Sequence, residues 1–123
     1  MARLLIVEDD INVRDLYREE FEAEGYEVEL VADGAAALER LRSAPPDVVI
    51  LDIGLPEKSG LEVLDELGAA AANVPVIVNT AYPLFRLDFR AHRARAWLTK
   101  SSDMQKLKQV VSRILEDEAG AGG

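Results

Sequence analysis

Short runs of nearly pure Val, Ile and Leu alternate along the chain with longer stretches in which apolar residues recur every three or four positions. Runs of the first kind suit strands covered on both faces, and stretches of the second kind suit amphipathic helices. Their regular alternation predicts an α/β fold, a parallel sheet with helices on both faces. Five strands are predicted, at Arg3–Val7, Tyr26–Val31, Val48–Leu51, Val74–Asn79 and Arg95–Leu98. In the second, Glu27 and Glu29 alternate with apolar residues and point away from the core, which marks a sheet edge.

Five helices fill the intervals. The first carries Val13, Leu16, Tyr17 and Phe21 on one face, starts at the acids Asp9 and Asp10 and stops at Gly25. Asp10 is read as its N-cap rather than as a metal ligand. The second runs from an Asp33 cap through Ala37, Leu38 and Leu41 until Pro45-Pro46 ends it. The third spans about Ser59 to Leu67, with Gly68 as its stop, and a short fourth opens at Pro83 and reaches Ala94. The last carries Met104, Leu107, Val111 and Ile114 along one stripe, with Ser102 and Gln105 at capping-box spacing.

A chain of 123 residues, 49% hydrophobic, supports one core and not two. The domain is expected to take up residues 1–118, and residues 119–123, Ala-Gly-Ala-Gly-Gly, form a disordered tail with nothing to bury. Cysteine is absent, which excludes disulfides, thiolate metal sites and cysteine nucleophiles. No apolar stretch is long enough to span a membrane, and a cytoplasmic location is expected. The net charge of −9 disfavours direct binding to nucleic acid. It is uneven: residues 8–29 hold ten acids against Arg14 and Arg18, whereas residues 81–100 hold five basic residues against Asp88. Arg14 is placed on a solvated helix face, and His92, the single histidine, in a solvated basic stretch.

Two strands end in acid. Leu4-Leu5-Ile6-Val7 runs into Glu8-Asp9-Asp10, and Val48-Val49-Ile50-Leu51 runs into Asp52. In an open sheet of order 2-1-3-4-5 these strands are neighbours whose connections leave in opposite directions, so Glu8, Asp9 and Asp52 meet at one crevice. Carboxylates held that close repel one another unless a cation lies between them. Mg2+ suits the set, because it is hard and octahedral, takes one or two carboxylates plus a carbonyl such as that of Gly54, and keeps waters for a phosphate. Thr80 and Thr99-Lys100 end the last two strands with a hydroxyl and an ammonium that can hold phosphate oxygens. A carboxylate nucleophile, a metal, a hydroxyl and a lysine are the parts that phosphoryl transfer to a carboxylate requires.

At these residues the chain resembles the receiver domain of two-component response regulators, of the chemotaxis-type, single-domain kind. The resemblance covers residues 2–118 and rests on five motifs in order: Leu-Leu-Ile-Val-Glu8-Asp9-Asp10, Val-Val-Ile-Leu-Asp52-Ile-Gly-Leu-Pro56, Ser59-Gly60-Leu61-Glu62, Val76-Ile-Val-Asn-Thr80-Ala81 and Trp97-Leu98-Thr99-Lys100. It implies a doubly wound, flavodoxin-like fold of order 2-1-3-4-5. It implies that Asp52 accepts phosphate from a histidine kinase or a histidine phosphotransfer protein. Asp9 would hold Mg2+ directly and Glu8 through water, Thr80 and Lys100 would bind the phosphoryl group, and Trp97 would occupy an aromatic switch position. The surface of the fourth helix, fifth strand and last helix would then change for a downstream protein. Such a domain promotes its own phosphotransfer and hydrolysis and is otherwise a signalling switch, not an enzyme. Two features depart from the family: Ser101 follows Lys100 where proline after a cis bond is usual, and the stretch from Thr80 to Lys100 is short. Gly54 and Tyr82 fall where the family tunes dephosphorylation. The competing readings are a pseudo-receiver, which is an interaction module never phosphorylated, and a small hydrolase or flavin-type binder, for which a Gly-rich phosphate loop after the first strand is lacking.

Overall fold

The computed structural model describes residues 2–52, 60–70, 73–80, 94–99 and 104–122. Its strands are β1 (Arg3–Val7), β2 (Glu27–Val31), β3 (Val48–Leu51), β4 (Val76–Thr80) and β5 (Ala96–Thr99), and its helices are α1 (Ile11–Ala23), α2 (Gly34–Ser43), α3 (Gly60–Ala70) and α4 (Gln105–Gly122). The strands form one five-stranded sheet of order β2-β1-β3-β4-β5, every pair parallel. Pro83–His92, the bulk of the expected fourth helix, and Ser102 lie outside the described residues.

Period-two alternation divides the sheet's side chains between two cores. Leu5, Val7, Val49, Leu51, Val76 and Val78 pack against Ala37, Leu38 and Leu41 of α2 and Leu64 and Leu67 of α3. Leu4, Ile6, Ile50 and Ile77 pack against Tyr17 and Phe21 of α1 and Leu107, Val111 and Ile114 of α4. Both faces are therefore covered, which is why the central strands read as unbroken apolar runs. At the edge, Glu29 of β2 is tied to Arg40 of α2 by an ion pair.

Local chemistry sets the helix ends. The Asp10 carboxylate accepts from the backbone N–H groups of Asn12 and Val13 at 2.9 and 3.4 Å, and that of Asp33 accepts from Ala36 at 2.8 Å. Each cap satisfies N–H groups that have no partner inside the helix. α1 closes in a Schellman turn: Gly25 N–H donates to the Glu22 carbonyl at 3.0 Å, and Tyr26 N–H to the Phe21 carbonyl at 3.2 Å. The rings of Phe21 and Tyr26 pack across this turn, centroids 6.0 Å apart. Gly25 has φ +93°, a conformation that L side chains rarely adopt, and a Cβ there would meet no atom within 4 Å. Gly25→Ala is thus expected to destabilise by about 1–3 kcal/mol through backbone strain alone, read by denaturant melts. A loss no larger than that of Gly25→Asn would contradict this.

Several expectations need correction. Gly68 does not stop α3, which continues to Ala70; a glycine ends a helix by turning left-handed, and among the described residues Gly25 alone has positive φ. β4 starts at Val76 rather than Val74, since Pro75 has no N–H for the ladder, although its carbonyl accepts from Val49 N–H at 3.0 Å. Leu16 is 43% exposed, whereas Arg14 is half-buried. On the helical wheel Arg14 lies about 60° from the buried Tyr17 and Leu16 about 100°, so position alone favours the arginine. α4 runs to Gly122, taking in four residues expected to fray, because its ladder is built from backbone groups.

α1 and α4 are joined by Lys108, whose ammonium donates to Glu20 at 2.7 Å and lies 3.5 Å from Glu24. The hydrogen bond to Glu20, ahead of the attraction of Glu24, raises the lysine above its ordinary value of 10.5. A group raised on folding stabilises fully below its unfolded value and loses that contribution as pH climbs through the folded one. Wild type should accordingly lose melting temperature more steeply than Lys108→Met as pH rises above 10.5. Parallel profiles would show the bridge to be inert.

Candidate functional site

β1 ends at Val7 and β3 at Leu51, and these residues face each other across the ladder. The chain then turns to opposite faces of the sheet, into α1 from β1 and toward α3 from β3, which opens a crevice at the strands' carboxyl ends. The first residues past the strands stay anchored: Glu8 N–H donates to the Val31 carbonyl at 3.0 Å and Asp52 N–H to the Val7 carbonyl at 3.1 Å. The backbone thus fixes where two carboxylates emerge.

One carboxylate oxygen each from Glu8, Asp9 and Asp52 lies within 4.8 Å of the others. Glu8 is 2% exposed and Asp52 9% exposed, whereas Asp9 is exposed, so the cluster is buried on one side and open to water on the other. Glu8 Oε1 also accepts from Asp10 N–H at 3.3 Å. An all-oxygen donor set of three acids matches a hard divalent cation. Two oxygens bound directly to one Mg2+ are at most about 4.2 Å apart, so acids gathered within 4.8 Å are close enough to share one cation.

The other expected site residues are placed unevenly. Thr80 is the last residue of β4, in register with Thr99 of β5, which brings its backbone to the same edge of the sheet; its side chain lies outside the described residues, as do Gly54, Lys100, Ser101, Tyr82 and His92. Trp97 is half-buried against the core of α2 and α3, and its Nε1 has no hydrogen-bond partner among the described residues. Asp10 is a helix cap, as expected, and not part of the acid cluster.

One pair escaped the sequence reading. Asn79, 5% exposed, donates from Nδ2 to the hydroxyl of Tyr17, 3% exposed, at 2.6 Å. The signal was the asparagine itself: a polar residue ending the run Val76-Ile77-Val78 must find a partner or bear an unmet desolvation cost.

Comparison with known proteins gives a consistent answer. Residues 4–112 match the family described as the response regulator receiver domain. The regulatory protein AtoC of Escherichia coli is 34% identical over 116 residues, and the response regulator MprA of Mycobacterium ulcerans 42% identical over 80. These alignments take in 93% and 65% of this chain but only 25% and 34% of the relatives, so the chain spans about a quarter to a third of their length. Among solved structures, the response regulator TrrA of Thermotoga maritima in complex with Mg2+–BeF superposes with a TM-score of 0.89 at 38% identity, covering 93% of this chain and 99% of that one. A CheY-like receiver domain from Methanospirillum hungatei gives 0.89 at 26% identity, covering 98% of each. Fold, family match and relatives agree: this chain belongs to the response regulator receiver domain family.

Proposed function

We propose that the chain is a phosphoacceptor switch in which Asp52 takes a phosphoryl group from a histidine kinase or histidine phosphotransfer protein. The observation that carries this reading is the convergence of Glu8, Asp9 and Asp52 within 4.8 Å at the carboxyl edge of the sheet. An Asp52 oxygen attacks phosphorus, the bond from phosphorus to the donor histidine nitrogen breaks, and its electron pair returns to the imidazole. Asp9 and Asp52 would hold Mg2+ directly, Glu8 would hold it through water, and the Gly54 carbonyl would be the remaining protein ligand. When bound, Mg2+ neutralises charge on the transferring oxygens. Thr80 and Lys100 take the remaining oxygens. Two solved relatives support the cation and the kinase partner by analogy: TrrA in complex with Mg2+–BeF, and the histidine kinase ThkA in complex with TrrA, a structure that matches this chain with a TM-score of 0.87 at 38% identity.

The receiver unit is assigned to residues 1–118, with the end of α4 running on to Gly122, and works in the cytoplasm; no helix among the described residues is long and apolar enough to cross a membrane. Capture of phosphate draws Thr80 inward and lets the Trp97 ring follow, which changes the surface that a downstream protein reads. Mg2+ with beryllofluoride tests the reading directly. It should shift Trp97 emission and raise the melting temperature, and an unchanged spectrum together with an unchanged melt would overturn the assignment.

A further inference from the structure

We propose that Tyr17 and Asn79 are a buried pair of positioning residues that fixes the carboxyl end of β4, and with it Thr80, so setting how fast Asp52 gains and loses phosphate. The inference rests on the receiver reading above. β3 and β4 are laddered only as far as Leu51 opposite Val78, whereas β4 and β5 remain in register through Asn79 opposite Leu98 and Thr80 opposite Thr99. The last two residues of β4 therefore extend beyond the β3 ladder, on the side from which Asp52 emerges. There the side chain of Asn79 supplies a tether, its Nδ2 donating to the Tyr17 hydroxyl at 2.6 Å.

The other end of the tether belongs to the same site. Tyr17 stands on α1, the helix that Asp10 caps directly after the acids Glu8 and Asp9. One hydrogen bond thus ties the segment carrying two of the carboxylates to the strand carrying the threonine. Packing does not require it. Tyr17 belongs to the cluster of Leu4, Ile6, Ile50, Ile77 and Met104, so a phenylalanine would keep its ring packing and lose only the hydroxyl that Asn79 reaches. A polar pair kept in an apolar layer, one residue before a phosphate-binding position, serves geometry rather than stability.

The test compares wild type with Tyr17→Phe, Asn79→Leu and the double variant, reading uptake of phosphate from acetyl phosphate with Mg2+, lifetime of the phosphorylated protein, Mg2+ affinity and melting temperature. Each single variant should change uptake or lifetime by roughly three- to tenfold at unchanged Mg2+ affinity. The double variant, apolar at both positions, should regain melting temperature without regaining the rates. Rates within about twofold of wild type in all three variants, or rates that recover together with the melt, would reduce the pair to a packing feature and overturn the proposal. Wild type taking up no phosphate at all would instead bring down the receiver reading beneath it.

Discussion

Asp52→Asn is expected to abolish stable phosphate incorporation from acetyl phosphate in the presence of Mg2+. An amide oxygen carries no full negative charge, so the variant loses both the nucleophile and one ligand of the cation. The fold should survive the change, because the backbone N–H of residue 52 still reaches the Val7 carbonyl and β3 keeps its ladder to β1. The control is the same chemical change elsewhere. Asp33→Asn retains a good N-cap for α2, where the carboxylate now accepts from Ala36, and should incorporate phosphate like wild type. Intact-mass measurement of the phosphorylated fraction reads both. Incorporation by Asp52→Asn at the wild-type level would place the phosphate on another side chain.

The second large effect concerns Mg2+ alone. With carboxylate oxygens within 4.8 Å of one another, each pair of full charges repels by ~1 kcal/mol at the dielectric of water and by ~3 kcal/mol at an effective dielectric of about 20. Exposure of Asp9 favours the lower figure for its own pairs, and burial of Glu8 and Asp52 the higher one for theirs. A cation that binds only the folded chain stabilises it by about 2.7 kcal/mol at a hundred times its dissociation constant. In a domain of this size that corresponds to roughly 10 °C in melting temperature. Asp9→Asn should lose most of the gain and Asp15→Asn, an exposed acid further along α1, should keep it. Equal gains in Asp9→Asn and wild type would remove Asp9 from the ligand set.

Legibility in the sequence followed scale. The alternation of apolar runs with amphipathic stretches was enough for the element types, and the stripe Met104, Leu107, Val111 and Ile114 is buried as its spacing requires. The acids were legible because a carboxylate directly after a run of Val, Ile and Leu has few places to go except a sheet edge. Caps at Asp10 and Asp33 and the turn at Gly25 were equally plain, since each depends on neighbours only a few residues away. Single-residue boundaries were not. Gly68 resembles a stop until its backbone is seen to stay helical, and Leu16 resembles a core residue until the sheet shows which side of α1 it faces.

What the sequence determined by itself was local: periodicity, caps, the helix-ending turn at Gly25 and the acids closing two strands. What the tertiary structure decided was mutual: that three carboxylates share one 4.8 Å cluster, that Arg14 rather than Leu16 turns inward, and that Asn79 bonds a tyrosine 62 residues away. Periodicity tells which face of an element is apolar, but the partner that covers the face is chosen by the packing of the whole chain, where residues distant in sequence compete for the same space.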